Sequence, residues 1–327
     1  MIGNEKYDPV FAHMEDLSAP ALGLDLDCIR PRLIRRDAEG RVLLVPVFTR
    51  TYGMLVNTDL FEKEGISVPT TWTELMTVCE ELRGKGYANP MMGYSLKPSS
   101  SFMNTVAYPL FVAALAENPE ALALANELDP AAGEYMRPAL EAVEQLIRYG
   151  CIDLGECDKI EDNYSQVILR FFEGDVPMMI CTGDTVSGTK KRESQSEVFT
   201  SAPFDYSFFP LPMTDDGGYF IDSPSLEFSV NKNCDDLDMT NEFMRFLITN
   251  KTLNEMASVK RLVTPTTDLS LDSVYAPFGQ VPSDRIISPE MLGILDTVAV
   301  QTRAAAFRVG IGEITIDEAV AMYGNFE

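Results

Sequence analysis

One histidine, six cysteines and 50 acidic residues against 26 basic ones bound the chemistry open to this chain of 327 residues. A single His13 leaves too few imidazoles for a His-based metal centre or a His-dependent triad. Cys28, Cys79, Cys151, Cys157, Cys181 and Cys234 form no Cys-x-x-Cys pair. Scattered in this way they read as buried free thiols, which behave as small apolar side chains, rather than as a zinc site or a disulfide framework. Only Cys151 and Cys157 are close enough in sequence for a local bridge to be an alternative. No Gly-x-Ser-x-Gly, phosphate loop or Gly-x-Gly-x-x-Gly is present, and the glycines of CTGDTVSG come without the lysine a phosphate loop needs. Carboxylates are plentiful enough for a two-acid glycosidase, but no spacing singles out a pair. The residues therefore point to no catalytic group, no metal and no cofactor.

The net charge of −24 argues against nucleic acid and anionic membrane surfaces, which need clustered Lys and Arg. Lys190-Lys191-Arg192 is the one basic run, and three charges in a row read more readily as a solvated helix face. A composition of 46% hydrophobic and 23% charged residues is that of an ordinary globular protein, long enough for one large or two medium domains. No apolar run reaches the length of a membrane span. MIGNEKYDPVF has neither the basic nor the apolar region of a signal peptide, so the chain is either cytoplasmic or lacks its leader.

Helices and short strands mix along the chain, which places it in the α/β class. EDLSAPALGLDLDCI has only weak apolar spacing and reads as loose loop and helix. GRVLLVPVFTR is the first strand signal, interrupted by Pro46. TDLFEKEGI is a short helix ended by Gly65. Thr71-Trp72-Thr73-Glu74 fits a capping box for a helix whose apolar face is Trp72, Leu75, Met76, Cys79 and Leu82. MMGYSL reads as a short buried strand, and RPALEAVEQLIRYG as a periodic helix ended by Gly150. Period then changes: helix to Phe172, a turn, a strand over Val176–Cys181 and a polar, Gly-containing elbow. Extended segments around an Asp-Asp-Gly-Gly turn follow, then the amphipathic DMTNEFMRFLITN, the extended KRLVTPTT and helices at about 289–306 and 316–324.

Five of these stretches, in this order, resemble extracellular solute-binding protein family 1 of bacterial ABC importers, the maltose- and oligosaccharide-binding type. They are VPVFTRTYGMLVNTDLFEKEGISVPTTWTEL, FFEGDVPMMICTGDTVSG, YSFFPLPMTDDGG with FSVNKNCDDLDMTNEFMRFLIT, KRLVTPTT, and GEITIDEAVAMY. Val56 stands where the family usually has Tyr, the segment around Pro265 lacks the usual Gly, and Asp184-Thr185 occupy the place of a sugar-stacking Trp. The resemblance implies a two-lobe periplasmic-binding-protein-like (type II) fold with an interdomain hinge. It implies a carbohydrate ligand held in the cleft between lobes, membrane permease subunits as partners, and a monomer. It also implies a place on the extracellular face of the membrane through a lipid anchor, or in the periplasm. A sugar sensor or a glycoside-acting enzyme on a similar fold is the rival reading. Family members carry more chain than the 45 residues that precede Pro46 here, so the resemblance further implies an incomplete N-terminal lobe.

On this reading 1–48 with 226–272 form the N-terminal lobe and 52–222 with 275–327 the C-terminal lobe, with crossings near 49–52, 222–226 and 272–276. The polar stretch after Pro46 and the stretch Ile221–Ser225 suit crossings, because hinges fall at the ends of elements and clefts fall between domains. The expected sugar contacts are Thr49, Arg50 and Tyr52 at the first crossing, Asp184 and Thr185 with Thr182 at the elbow, and Asp222, Ser223 and Ser225 at the second crossing. Phe102 joins them at a helix start, with Ser101 and Asn104. Each has a plainer alternative: Arg50 paired to an acid, Tyr52 in the core, Asp184 capping a helix, Ser223–Ser225 in a proline turn, Ser101 as a cap. Trp72 is expected to be buried in the joint, leaving stacking to Phe48, Tyr52, Phe102 or Phe220.

Overall fold

The computed structural model describes residues 8–94, 97–98, 101–160 and 164–326. The chain divides into two compact units. The first holds the described residues up to Thr51, Asp222–Asp272 and Ser288–Asp296; the second holds Tyr52–Ile221, Ser273–Ile287 and the chain from Thr297 onward. In chain order the strands are β1 (Val45–Arg50), β2 (Tyr52–Asn57), β3 (Met91–Met92), β4 (Met178–Thr182), β5 (Tyr206–Phe209), β6 (Pro212–Thr214), β7 (Gly217–Gly218), β8 (Phe220–Ile221), β9 (Ser223–Phe228) and β10 (Ile286–Ile287).

In the first unit the loosely patterned N-terminal segment forms three 3-10 turns, Pro20–Leu22, Leu26–Cys28 and Pro31–Leu33. Two of them open on a proline, whose fixed φ suits the first position of a helical turn. Their apolar members Leu22, Cys28 and Leu33 join Leu17, Val42, Val45 and Val47 in one core with Val230, Met244, Leu247 and Leu253. Each buried Leu or Val contributes about 1.5–3 kcal/mol, so this segment is held by burial rather than by a regular ladder. Strand β1 runs antiparallel to β9, and its register slips between Pro46 and Phe48 and again before Thr49. Pro46 has no N–H to donate, which fits a slip at that point. The helices Leu237–Leu247 and Asn250–Lys260 are capped by Asp236 and Thr249 and bury Met244, Leu247, Leu253 and Ala257.

The second unit is built on a four-stranded sheet in the order β3-β4-β2-β5. Strand β2 lies in its middle, antiparallel to β4 and β5, and every residue of β2 is buried. A Cβ at Gly53 would lie 2.3 Å from the Phe209 carbonyl oxygen, so only glycine lets β5 approach so closely. Asn57 accepts from the Leu60 N–H to start the helix Thr58–Glu64, and Gly65 stops it at φ 69°. Thr71 and Glu74 form the expected capping box at the head of Trp72–Gly84. That helix buries Leu75, Val78, Cys79 and Leu82, while Trp72 itself is only half-buried, contrary to its expected place. The largely buried helix Phe102–Glu117 packs on Gly133–Arg148 and on β2 and β4.

Other differences are local. The strand expected over MMGYSL is confined to Met91–Met92, and its Ser95 and Leu96 lie outside the described residues. The helix expected at 289–306 is two, Pro289–Leu292 and Asp296–Gly310, parted at Gly293 with φ 73°. All six cysteines are free thiols, so the Cys151–Cys157 bridge does not form. Lys190 and Lys191 are exposed, but Arg192 turns inward to Ser165, so the basic run is not wholly a solvated face.

Candidate ligand site

In the first unit, strand pairing sets Arg50 opposite Ser223 and Thr49 opposite Pro224. Thr49 is fully buried, and its N–H donates to the Val263 carbonyl at 2.9 Å. Asp222 is also fully buried. One of its carboxylate oxygens accepts from Arg30 Nη2 at 2.8 Å, and the other from Arg30 Nε at 2.8 Å and Arg32 Nε at 2.6 Å. Arg30 Nη1 donates to the carbonyls of Thr264 at 2.7 Å and Thr266 at 2.9 Å. A buried carboxylate is tolerable only with such partners. Burial alone would push the Asp222 carboxyl up; the Arg30 charge and hydrogen bonds, then those of Arg32, outweigh it and hold it below the usual carboxylate value. Asp222 was expected at a sugar; both its oxygens are instead taken by guanidinium groups inside the unit.

Ser223 is buried and donates to Glu290 Oε1 at 2.6 Å, and Ser288 donates to Glu290 Oε2 at 3.3 Å. Burial pushes the Glu290 carboxyl up, against the lowering effect of the Ser223 hydrogen bond. Arg50 and Ser225 are half-buried.

In the second unit, β2 and β4 set Tyr52 opposite Thr182. Thr182 leads straight into the short helix Gly183–Ser187, so the elbow residues Asp184 and Thr185 sit one turn beyond Tyr52's partner. Asp184 lies in the first turn, where a carboxylate favours the helix dipole, and the N-cap residue Thr182 supplies no side-chain cap. Thr185 is buried and Asp184 half-buried. The Tyr52 ring lies 5.6 Å from that of Tyr108, tilted by 53°. Tyr275 Oη donates to the Gly183 carbonyl at 3.3 Å. The elbow is thus backed by three buried tyrosines, and the side chains it leaves half-exposed include the polar Thr182 and Asp184.

Phe102 does not belong to this group in the sense expected. It is 1% exposed, behind a helix start where Ser101 accepts from the Met103 N–H at 3.1 Å, so Ser101 is the cap of the plainer reading. Phe48 and Phe220 are likewise buried and offer no open stacking face. Among the described residues no group of three or more His, Cys, Asp or Glu side chains is placed to hold a metal ion. A separate cavity of about 590 Å³ in the second unit lies between Pro69, Phe209, Pro210 and Pro277, and none of the expected sugar contacts lines it. Arg285 on its wall is committed to Thr214 Oγ1 and to the Gly217 and Gly218 carbonyls.

The sequence reading missed Arg30, Arg32 and Glu290 in the first unit and Tyr108 and Tyr275 in the second. Arg30 and Arg32 had a faint signal, two arginines flanking a proline in a strongly acidic chain. Tyr108, beside Pro109 within a largely apolar helix, had none.

The chain passes between its two units several times, with β1 and β2 on either side of one such passage. The sequence model of the bacterial extracellular solute-binding protein family matches residues 13–280, and the chain belongs to that family. A search of curated proteins finds no match. Among solved structures, the chain is similar to the solute-binding protein RafE in complex with raffinose, at 16% identity and a TM-score of 0.71, over 98% of this chain and 82% of that one. It is similar to a sugar transporter protein of Bacillus licheniformis in complex with stachyose, at 16% identity and a TM-score of 0.71, over 96% and 80%. A chitin oligosaccharide binding protein matches at 19% identity and a TM-score of 0.71, over 96% and 78%. These likenesses establish the two-lobe periplasmic-binding-protein-like α/β fold. No helix among the described residues is long and apolar enough to cross a membrane.

Proposed function

We propose that the protein is the substrate-capturing component of an ABC importer, that its ligand is an oligosaccharide, and that it delivers this sugar to membrane permease subunits without chemical change. It would act outside the cytoplasmic membrane, lipid-anchored or in the periplasm, as a monomer. Family membership supports the transport role, and the sugars named for RafE and the two other similar structures support the ligand class. The single observation that carries the reading is the second unit's elbow: Tyr52 beside Thr182, with Tyr108 against it and Asp184 and Thr185 in the next turn. The half-buried Asp184 carboxylate can accept hydrogen bonds from paired sugar hydroxyls, while Tyr52 and Tyr108, both buried, hold the elbow from behind. Asp222 and Phe102 drop out of the contact set because both are buried and already packed or paired.

The test is a thermal-shift screen against raffinose, stachyose and chitin oligosaccharides. A ligand at a hundredfold excess over its Kd stabilises the folded form by about 2.7 kcal/mol. The reading expects a rise in Tm with at least one sugar and an unaltered sugar recovered afterwards. Hydrolysis products, or no shift with any sugar, would overturn it.

A further inference from the structure

Within the second unit, the helix Trp72–Gly84 places Met76 and Cys79 one turn apart, on the side that meets the chain just beyond Gly133–Arg148. There Gly150 turns the backbone at φ 69° against the Arg83 guanidinium, and the next residue is Cys151. Cys151 Sγ lies 3.7 Å from Met76 Sδ. Cys79, one helical turn from Met76, shares this sulfur cluster with Cys151, and each thiol shifts the titration of the other. Both cysteines are 1% exposed. Cys157, the nearer partner in sequence, is also buried, and its thiol is pushed up to about 11 chiefly by burial. The chain belongs to an extracellular family, and outside the cytoplasm adjacent thiols meet oxidised partners and their disulfides persist.

We propose that Cys79 and Cys151 are a disulfide-forming pair, closed by thiol–disulfide exchange with an external disulfide such as oxidised glutathione. In the first step one thiolate attacks a sulfur of the external disulfide; the new S–S bond is a mixed disulfide and one external thiolate leaves. In the second step the other protein thiolate attacks the protein sulfur of the mixed disulfide and expels the second external thiolate. Two protein thiols are oxidised, one external disulfide is reduced to two thiols, and the two protons pass to the leaving thiolates. Cys151 suits the first attack. The neighbouring Cys79 thiol, then the nearby Arg83 charge, hold its thiol below the ordinary value against the opposing effect of burial, while Cys79 is held well above. Both thiols are buried, so exchange on the folded protein proceeds through local opening. The closed bridge would tie the helix Trp72–Gly84 to the end of Gly133–Arg148 across a long loop, where cross-links stabilise most.

The experiment refolds the full chain from urea in a glutathione redox buffer and, in parallel, incubates the folded chain in that buffer a few degrees below its Tm. Remaining thiols are then alkylated in denaturant and counted by mass, and cross-linked peptides are mapped. The pair is expected to leave four of the six thiols alkylated (six minus the two bridged), with one cross-linked species containing Cys79 and Cys151. Tm is expected to rise by roughly 5–10 °C over the reduced form. Cys151→Ser and Cys79→Ala should each abolish the cross-link, and Cys157→Ser should leave it intact. Six alkylated thiols after oxidative refolding, a bridge between any other pair, or a cross-link that survives Cys79→Ala would overturn the proposal.

Discussion

Beside the paired strands β1 and β9, in the first unit, a buried carboxylate takes three hydrogen bonds from two guanidinium groups. At the start of β2, in the second unit, a tyrosine is fixed by a regular ladder to β4 and by the ring of Tyr108. The two regions are separated by Thr51 alone in sequence, yet they are organised in opposite ways. The first turns Asp222 and Arg30 inward and pairs them there. The second leaves an elbow where a carboxylate and hydroxyls stand beside aromatic rings. In a chain of net charge −24, an acidic residue near a crossing is therefore no guide to ligand contact until its partners are known.

The largest expected effect comes from breaking the first region. Asp222→Ala leaves the buried Arg30 guanidinium uncompensated, takes a partner from the half-buried Arg32, and should cost about 3–5 kcal/mol. Asp184→Ala should cost within about 1 kcal/mol of stability. Trp72 is the single tryptophan and lies in the second unit, so its fluorescence follows that unit while far-ultraviolet circular dichroism follows both. In urea, Asp222→Ala should lower the circular dichroism midpoint more than the Trp72 midpoint. Equal shifts by both probes would break the contrast.

Next in size is a pH effect. The Asp222 carboxyl titrates below its unfolded value, so its contribution is fully present above the ordinary carboxylate range and is lost as pH falls through the lowered folded value. The urea midpoint of the wild type should fall between roughly pH 5 and pH 3, and Asp222→Asn should flatten part of that slope. An unchanged slope would show that other carboxylates govern acid unfolding.

Much of the second region was legible in the sequence, because its signals are local. Thr71 and Glu74 are three residues apart, Asn57 and Gly65 bracket one short helix, and β2 is an apolar run with a single glycine. The first region was not legible, because Arg30 and Asp222 are 192 positions apart and the segment Ser288–Asp296 returns to its unit without a composition change. Spacing rules reach about a turn of helix or a hairpin; a long-range ion pair has no such period. The same limit hid Tyr108 and Tyr275, whose importance comes from where the sheet sets Tyr52 and Gly183. Trp72 shows the converse error, a residue assigned to the interior by its motif and found half-buried.

The smallest effect separates the regions from the other side. Burial raises the Glu290 carboxyl, so ionising it costs stability as pH rises through the ordinary carboxylate range. Glu290→Gln keeps partners for Ser223 and Ser288 while removing that charge. It should raise Tm slightly above about pH 6, by the equivalent of about 1 kcal/mol or less, and leave it unchanged near pH 4. A fall in Tm at neutral pH would mean that the charge is needed there.

The central claim, that the second unit's elbow holds a sugar, is tested most directly by calorimetric titration of wild type and Asp184→Ala with the best oligosaccharide of the screen, alongside their Trp72 unfolding curves. The account predicts saturable binding by the wild type, a tenfold or greater loss of affinity in the variant, equivalent to about 1.4 kcal/mol or more, and coincident unfolding curves. Equal affinity in the two proteins, or no binding of any sugar by the wild type, would contradict it.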